Sequence, residues 1–152
     1  MRSLRSQRQK EGHVTSYNTN LAAEFYVLSM LHRLGADATL TLGNKKGVDI
    51  VVVRDNGDAV TIDVKGVAKR YDWPVGNVQS PRPKRHFVVL VSFEGQITDP
   101  AVAPRCWVVP LPELEPYVHQ YGTRLDVLRS SIQEHGEQFE NAWTLITGEL
   151  PA

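Results

Sequence analysis

The chain has 152 residues, of which 41% are hydrophobic and 22% are charged, and these values are typical of one globular domain with a real core. Seventeen Lys and Arg residues balance seventeen Asp and Glu residues, which excludes a histone-like basic binder but not a local basic patch. The single cysteine, Cys106, excludes a disulfide scaffold and a Cys-rich zinc site, and it is typical of a reducing compartment.

The N-terminal sequence MRSLRSQRQKEGH is basic and has no apolar stretch behind it, so it is not expected to be a secretory signal. No apolar run reaches the roughly 18–20 residues that a membrane span needs. We therefore expect a cytoplasmic protein that does not enter a membrane. Residues 1–16 are predicted to form a mobile basic tail, and residues 17–152 a single domain.

The first predicted element is a helix over about 19–34. Its apolar residues follow the helical rhythm of about 3.6 residues per turn: Leu21, Phe25, Leu28 and Leu31. The predicted N-cap is one of three polar residues: Asn18, Thr19 or Asn20. Gly35 stands where a helix typically ends.

Later elements alternate between strand-like and helical patterns. Strands are predicted at about 37–42, 48–54, 59–65, 86–93 and 106–110, and the Asp-Asn-Gly-Asp sequence at 55–58 is a strong hairpin signal. Residues 66–85 predict a long irregular loop, and helices are predicted at about 111–121, 124–132 and 137–147. This order predicts an α/β fold whose central mixed β-sheet contains an antiparallel three-stranded meander and is flanked by helices.

Glu24 is a charged residue in the middle of the apolar face of the first helix. Four apolar residues lie within about 60° of it around the helix axis: Leu21, Val27, Leu28 and Leu31. A carboxylate in such a place is expected to be solvated, paired or bound to metal. The alternative is a position near the helix end with a salt bridge to a lysine.

Three more charged residues interrupt apolar strands: Asp49, Asp63 and Lys65. A three-residue loop at 55–57, with Gly57 left-handed, would place Asp49 opposite Asp63 and Ile50 opposite Ile62. A two-residue turn would instead put Asp49 on the face of Val64, away from Asp63. We prefer the first register because it pairs apolar with apolar residues, and a divalent cation would remove the repulsion between the facing acids. The alternative for Asp63 and Lys65 is an edge-strand ion pair.

The ordered set of an inward helix Glu, a strand-starting Asp and a D-x-K triplet suits phosphodiester hydrolysis. Carboxylate oxygens hold Mg²⁺, which keeps several waters, lowers the pKa of a bound water and neutralises charge on a phosphate. A lysine can position that water or stabilise the developing negative charge.

The stretches AAEFYVLSMLHRLG, GNKKGVDIVV and TIDVKG, over about residues 20–66, resemble the PD-(D/E)xK (restriction-endonuclease-like) nuclease superfamily, which includes archaeal Holliday-junction resolvases. Trp73, which follows the lysine, and the W-V-V-P stretch at 107–110 resemble small uncharacterised bacterial members of this superfamily. Val48 stands where the motif has Pro, and Asp63 replaces the more frequent Glu.

The resemblance implies a core of a helix, three antiparallel strands, a helix and a further strand. It also implies Asp49, Asp63 and the Val64 carbonyl as metal ligands, Glu24 as a third acid, and Lys65 as the catalytic lysine. Mg²⁺ is the implied metal, with Mn²⁺ as a substitute. A homodimer is the implied assembly, because one small domain carries one site and a duplex has two strands.

A basic patch is predicted beside the site. Its members are Lys45, Lys46, Lys69, Arg70, Arg82, Lys84 and Arg85, whose alternative role is a solvated surface. Trp73 would stack on a base or, alternatively, pack over the sheet. His86, Cys106, Trp107 and Trp143 are predicted to be structural.

Together these residues predict a metal-dependent phosphodiester hydrolase, an endonuclease that acts on nucleic acid, with DNA as the expected substrate. One alternative is a catalytically inactive module that keeps the nuclease fold and binds nucleic acid or another partner. Another is a structural protein whose acids merely pair with lysines.

Overall fold

The computed structural model describes residues 14–41, 48–76 and 85–148. A five-stranded mixed sheet forms its centre. The strands are β1 (Asp37–Leu40), β2 (Ile50–Val53), β3 (Ala59–Val67), β5 (His86–Ser92) and β6 (Arg105–Pro110), in the order β1-β2-β3-β5-β6. Among these described strands β3 and β5 pair in parallel and the other neighbours pair antiparallel, so β1, β2 and β3 form the predicted antiparallel meander.

The register of the β2–β3 hairpin is the predicted one. Ile50 pairs with Ile62 and Val52 with Val60. Arg54 N–H donates to the Asp58 carbonyl at 2.8 Å, and Gly57 has a φ of +86°, as a three-residue loop with a left-handed glycine requires. This register brings Asp49 and Asp63 to neighbouring positions on adjacent chain segments.

Helix α1 (Ser16–Arg33) starts earlier than predicted. Its N-cap is Thr15, whose Oγ1 accepts a hydrogen bond from Asn18 N–H at 3.2 Å, so the predicted caps are wrong. The predicted tail of 1–16 overlaps this cap and the first helical residue, and residues 1–13 lie outside the described residues. Gly35 has a φ of +80° just beyond the helix, as predicted.

The buried stripe of α1 runs through every fourth residue: Thr19, Ala23, Val27 and Leu31. Leu31 lies on this face as predicted, but Phe25 is 54% exposed, because a helix against one sheet buries a narrower arc than the apolar sequence offers. A Cβ on Gly66 of β3 would lie 2.6 Å from Ala23 Cβ. The absence of a side chain at Gly66 therefore lets α1 approach the sheet closely.

A second sheet has three strands. They are β4 (Trp73–Pro74), β7 (Val118–Tyr121) and β8 (Arg124–Val127), in the order β4-β8-β7. Apolar residues on the α1 side of the central sheet form one core, and those between the two sheets form another. Strand β5 is buried along its whole length because both cores use it.

The C-terminal predictions are partly wrong. Residues 111–121 form two 3₁₀ turns, Leu111–Glu113 and Glu115–Tyr117, and then β7, because Pro112 and Pro116 lack the N–H groups that a helix interior needs. The predicted helix at 124–132 is β8 followed by α2 (Arg129–His135), and that at 137–147 is a 3₁₀ turn, Glu137–Phe139, and the short α3 (Thr144–Thr147).

The connection between β3 and β5 also differs from the expected core. Its described residues, 68–76 and 85, contain β4 and no helix, whereas residues 77–84 lie outside the described chain. No helix in the described part of the chain is both long and apolar enough to cross a membrane.

Candidate active site

A pocket of about 530 Å³ opens beside the end of β3. Its lining includes Glu24, Asp49, Asp63 and Lys65, the four residues that the sequence singled out. Helix α1 supplies the first, the residue before β2 supplies the second, and β3 supplies the last two. The structure therefore brings together residues that are up to about 40 positions apart in the sequence.

Asp49 is held firmly although it lies just outside β2. Its N–H donates to the Ile62 carbonyl at 2.8 Å, and its own carbonyl accepts from Thr41 N–H at 2.8 Å. The side chain is fixed as well, because Asp49 Oδ2 accepts a hydrogen bond from Val64 N–H at 2.7 Å. The Asp49 carboxylate is therefore oriented by β3, the strand that carries Asp63 and Lys65.

Asp63 is a buried acid with an incomplete set of partners. Lys65 Nζ lies 3.4 Å from Asp63 Oδ2, in an ion pair whose side chains are 18% and 3% exposed respectively. That oxygen receives no hydrogen bond from the described residues. Burial raises the pKa of Asp63 to about 7, Lys65 opposes the rise, and Asp49 adds to it. The loss of hydration on burial therefore affects the pKa of Asp63 more strongly than the attraction to Lys65 does.

Glu24 of α1 lines the same pocket as Asp49, Asp63 and Lys65, as its helical position predicts. Burial and the nearby Asp49 carboxylate raise the pKa of Glu24 to about 7, whereas the positive charge of Lys65 lowers it. The alternative, a position near the helix end with a salt bridge to a lysine, is wrong because Glu24 lies near the middle of α1. Its position depends on the close contact between Ala23 and Gly66.

The donor set fits Mg²⁺ through two carboxylates rather than a dense acidic cluster. No group of three or more His, Cys, Asp or Glu side chains within residues 14–41, 48–76 and 85–148 is arranged to hold a metal ion. Mg²⁺ commonly uses one or two carboxylates and keeps several waters. Asp49 and Asp63 supply hard oxygen donors, and the buried Asp63 oxygen without a hydrogen bond is the kind of group that a cation would satisfy.

The structure describes three of the predicted phosphate-binding residues. Lys69 is exposed, Arg70 is exposed and pairs with Glu94 at 2.7 Å, and Arg85 pairs with Asp58. The other four, Lys45, Lys46, Arg82 and Lys84, lie outside the described residues.

Trp73 is not available to stack on a base, so this part of the prediction is wrong. It is fully buried, its Nε1 donates to the Val91 carbonyl at 3.0 Å, and its ring meets Trp107 edge to face. The alternative of packing over the sheet is the correct one. The structural roles predicted for other buried residues are confirmed by their burial: His86, Cys106, Trp107 and Trp143.

Several other residues that line the pocket are not predicted as site residues, among them Asn20 and Tyr71. The sequence suggests Asn20 only as a helix cap, although it lies one turn before Glu24 on α1. Tyr71 lies two residues before Trp73 in the loop and is 58% exposed. The even spacing of Asn20 and Glu24 is a usable signal for the first, whereas nothing in the sequence distinguishes Tyr71 from Trp73 as the exposed aromatic residue.

Comparison with known proteins supports the fold alone. No protein-family model matches the chain. No curated protein matches it in sequence. The solved structures include a similar one, the bacterial homing endonuclease I-Ssp6803I, with a TM-score of 0.56 and 16% sequence identity over 88% of this chain and 92% of that chain. The chain therefore has a nuclease-like fold.

Proposed function

We propose that this protein is a metal-dependent phosphodiester hydrolase, an endonuclease of the PD-(D/E)xK type whose substrate is DNA. The observation that carries the proposal is the meeting of Glu24, Asp49, Asp63 and Lys65 in one pocket. The fold that the chain shares with a homing endonuclease agrees with this proposal.

The proposed metal ligands are the Asp49 and Asp63 carboxylates and the Val64 carbonyl, with Glu24 as a third acid nearby. When bound, Mg²⁺ or Mn²⁺ would neutralise charge on the scissile phosphate and activate water for attack. Two facing acids, one of them buried, are a reason for the apo protein to bind a cation, since the cation removes their repulsion and desolvation cost.

The chain's own groups have separate tasks in this proposal. Val64 N–H keeps the Asp49 carboxylate in one orientation through their 2.7 Å hydrogen bond. Lys65, held beside Asp63, places an ammonium group where negative charge develops on the phosphate. Glu24 would act as a third acid beside the metal, and in the metal-free protein burial and the Asp49 carboxylate raise its pKa to about 7.

Nucleic acid is the proposed substrate because two exposed cations stand next to the pocket in the sequence. Lys69 and Arg70 immediately follow Ala68, which lines the pocket. Phosphate contacts by such residues supply most of the non-specific affinity of a nucleic-acid-binding protein. A homodimer belongs to the proposal as well, and sedimentation velocity at micromolar concentration would test it directly.

The deciding experiment is a cleavage panel of linear duplex, branched and single-stranded DNA, each with Mg²⁺, Mn²⁺ or chelator. We expect metal-dependent cleavage by the wild type and none by Asp63→Asn. Asp126→Asn is the matched control, because Asp126 is also a buried strand acid with one oxygen lacking a hydrogen bond within the described residues and a cation, Arg124, two residues away. It does not line the pocket.

The alternative, a catalytically inactive module with the same fold, makes a different prediction. It requires that no substrate is cut with either metal and that neither metal raises the melting temperature of the wild type. Equal loss of cleavage in Asp63→Asn and Asp126→Asn would also contradict the proposal, because it would indicate general damage to the fold.

A further inference from the structure

The pocket extends well beyond its charged residues. One part is ionic and contains Glu24, Asp49, Asp63 and Lys65. The remaining lining is uncharged and includes Ser16 and Asn20 of α1 and Tyr71 and Pro74 of the loop that leads into the second sheet. A volume of about 530 Å³ is within the range that holds a small organic molecule. The scissile phosphate and its metal would occupy only the ionic part.

Tyr71 is an exposed aromatic side chain on a firmly held backbone. Its neighbour Asp72 accepts a hydrogen bond from Arg129 N–H at 2.7 Å, and Trp73 is buried in the core between the two sheets. Tyr71 N–H itself donates to the Lys69 carbonyl at 2.9 Å. The ring thus projects from a segment whose position is fixed, which lowers the entropy cost of using it in binding.

The uncharged part offers both kinds of contact that a nucleobase uses. Tyr71 contributes an aromatic ring to the lining, and any base can stack on such a ring. Asn20 presents an amide with two donors and one acceptor oxygen that can bond to a base edge. Both lie on the wall of the same pocket as the carboxylates, so a base bound there would be joined to a phosphate bound beside Lys65.

We propose that this uncharged part of the pocket is a nucleoside subsite that takes one unpaired nucleotide next to the scissile phosphate. The inference rests on the proposed nuclease function and narrows its substrate. A base that is stacked and paired in a duplex cannot enter a concave pocket until it leaves the stack, and the free-energy cost of leaving the stack is smallest for unpaired or mismatched bases. Preferred substrates are therefore strands with an unpaired nucleotide at the cleavage position.

The test measures binding in chelator, so it does not depend on catalysis. Two DNA probes are compared at one salt concentration: a duplex with the adenine analogue 2-aminopurine in an unpaired position, and the same duplex fully paired. Binding is followed by anisotropy, and stacking by quenching of the 2-aminopurine emission. The variants are Tyr71→Ala, Tyr71→Phe, and the control Tyr121→Ala, since Tyr121 is 48% exposed on β7 and does not line the pocket.

We expect Tyr71→Ala to bind the unpaired probe about 5-fold to 150-fold more weakly and to lose the quenching, with less than about twofold change for the paired probe. Tyr71→Phe keeps the ring and should behave as the wild type, as should Tyr121→Ala. Equal affinity of the wild type for both probes, or an unchanged Tyr71→Ala, overturns the subsite. If the wild type still cleaves DNA in that case, the nuclease proposal stands alone; if it neither binds nor cleaves DNA, both proposals fail.

Discussion

Two buried or half-buried acids in the described part of the chain, Asp63 and Glu94, each lie beside a cation, and they differ in how many hydrogen bonds their carboxylates receive. In the pocket, Asp63 is buried beside Lys65, yet one of its oxygens receives no hydrogen bond from the described residues. Around Glu94, Arg129 Nη2 donates to Glu94 Oε1 at 2.6 Å and Nη1 donates to Ser92 Oγ at 3.0 Å. Arg70 Nε also donates to Glu94 Oε2 at 2.7 Å.

The pKa of Glu94 is lowered from its ordinary value, whereas the pKa of Asp63 is raised. Burial alone would raise the pKa of Glu94, but hydrogen bonds and charge from Arg129 and Arg70 outweigh it and hold the pKa below its ordinary value. Burial raises the pKa of Asp63 to about 7 despite Lys65. A buried acid with a full set of hydrogen bonds is expected to stabilise the fold. A buried acid whose oxygen lacks a hydrogen bond can instead bind a ligand such as a cation.

Removing Arg129 from Glu94 should have the largest effect. Arg129→Met removes the cation that donates to Glu94 Oε1 and leaves this largely buried acid paired with the exposed Arg70, and we expect a loss of about 3–5 kcal/mol in the free energy of unfolding. Urea denaturation measures it. The matched control is Arg85→Met, which breaks an exposed pair with Asp58 and should cost less than about 1 kcal/mol. Similar losses in both variants would contradict the comparison.

Lys65→Ala should have the largest effect on activity. Loss of the ammonium group removes charge stabilisation from the proposed transition state, and we expect cleavage to slow by about 10²–10³-fold with little change in DNA affinity. Single-turnover cleavage with Mg²⁺ measures the rate, and filter binding in chelator measures the affinity. A parallel loss of rate and affinity would make Lys65 a binding residue rather than a catalytic one.

Neutralising Asp63 should stabilise the protein instead. Asp63→Asn removes the desolvation cost and the repulsion from Asp49, so the metal-free variant at pH 8 should be more stable by about 1–3 kcal/mol. Thermal melts with chelator measure the difference. Mg²⁺ should raise the melting temperature of the wild type and not that of the variant. A clear destabilisation, without any metal-dependent rise in the wild type, would favour a purely structural ion pair.

The pH dependence should follow from the same two raised pKa values. Between the ordinary carboxyl pKa of about 4 and a pKa of about 7, the folded protein binds more protons at Glu24 and Asp63 than the unfolded chain does. The wild type without metal should therefore lose stability as the pH rises through this window. In melts from pH 5 to about 8, the stability of Asp63→Asn should fall less steeply with pH than that of the wild type. Equal slopes of stability against pH would argue against the raised pKa of Asp63.

The smallest effect is expected at the rim of the site. Lys69→Glu should lower the slope of log affinity against log salt by about one if Lys69 binds one phosphate. Arg33→Glu is the control, because Arg33 lies at the far end of α1 from the pocket. An unchanged slope in filter binding would remove Lys69 from the interface.

The first half of the fold and the four charged site residues are predictable from the sequence because local rules dominate there. The Asp-Asn-Gly turn and the pairing of apolar with apolar residues determine one hairpin register, and helical phase places Glu24 toward the sheet. The second half is harder to predict. Its apolar spacing suits a helix, whereas Pro112 and Pro116 break it and Gly122, with a φ of +59°, turns the chain into the β7–β8 hairpin.

The burial of Trp73 and the exposure of Phe25 could not be predicted for a different reason. Both depend on tertiary partners that no local pattern reveals. Trp73 is covered by Trp107 from β6, and Phe25 is left uncovered because Ala23 and Gly66 determine which side of α1 contacts the sheet. For the same reason, the sequence does not decide whether Lys65 pairs with Asp63. The net effect of this pair on the pKa of Asp63 depends on how deeply the carboxylate is buried, which no local pattern reveals.

The parallel pairing of β3 with β5 has a consequence for the order of folding. Helix α1 and the β1–β3 meander follow one another in the sequence and carry Glu24, Asp63 and Lys65, with Asp49 directly before β2, whereas residues 68–85 separate β3 from β5. Contacts between distant residues form late and slowly, so we expect the meander to fold first and the docking of β5 to be the slow step. Asp63, which lies beside Val88 of β5, would then lose its water only in that last step.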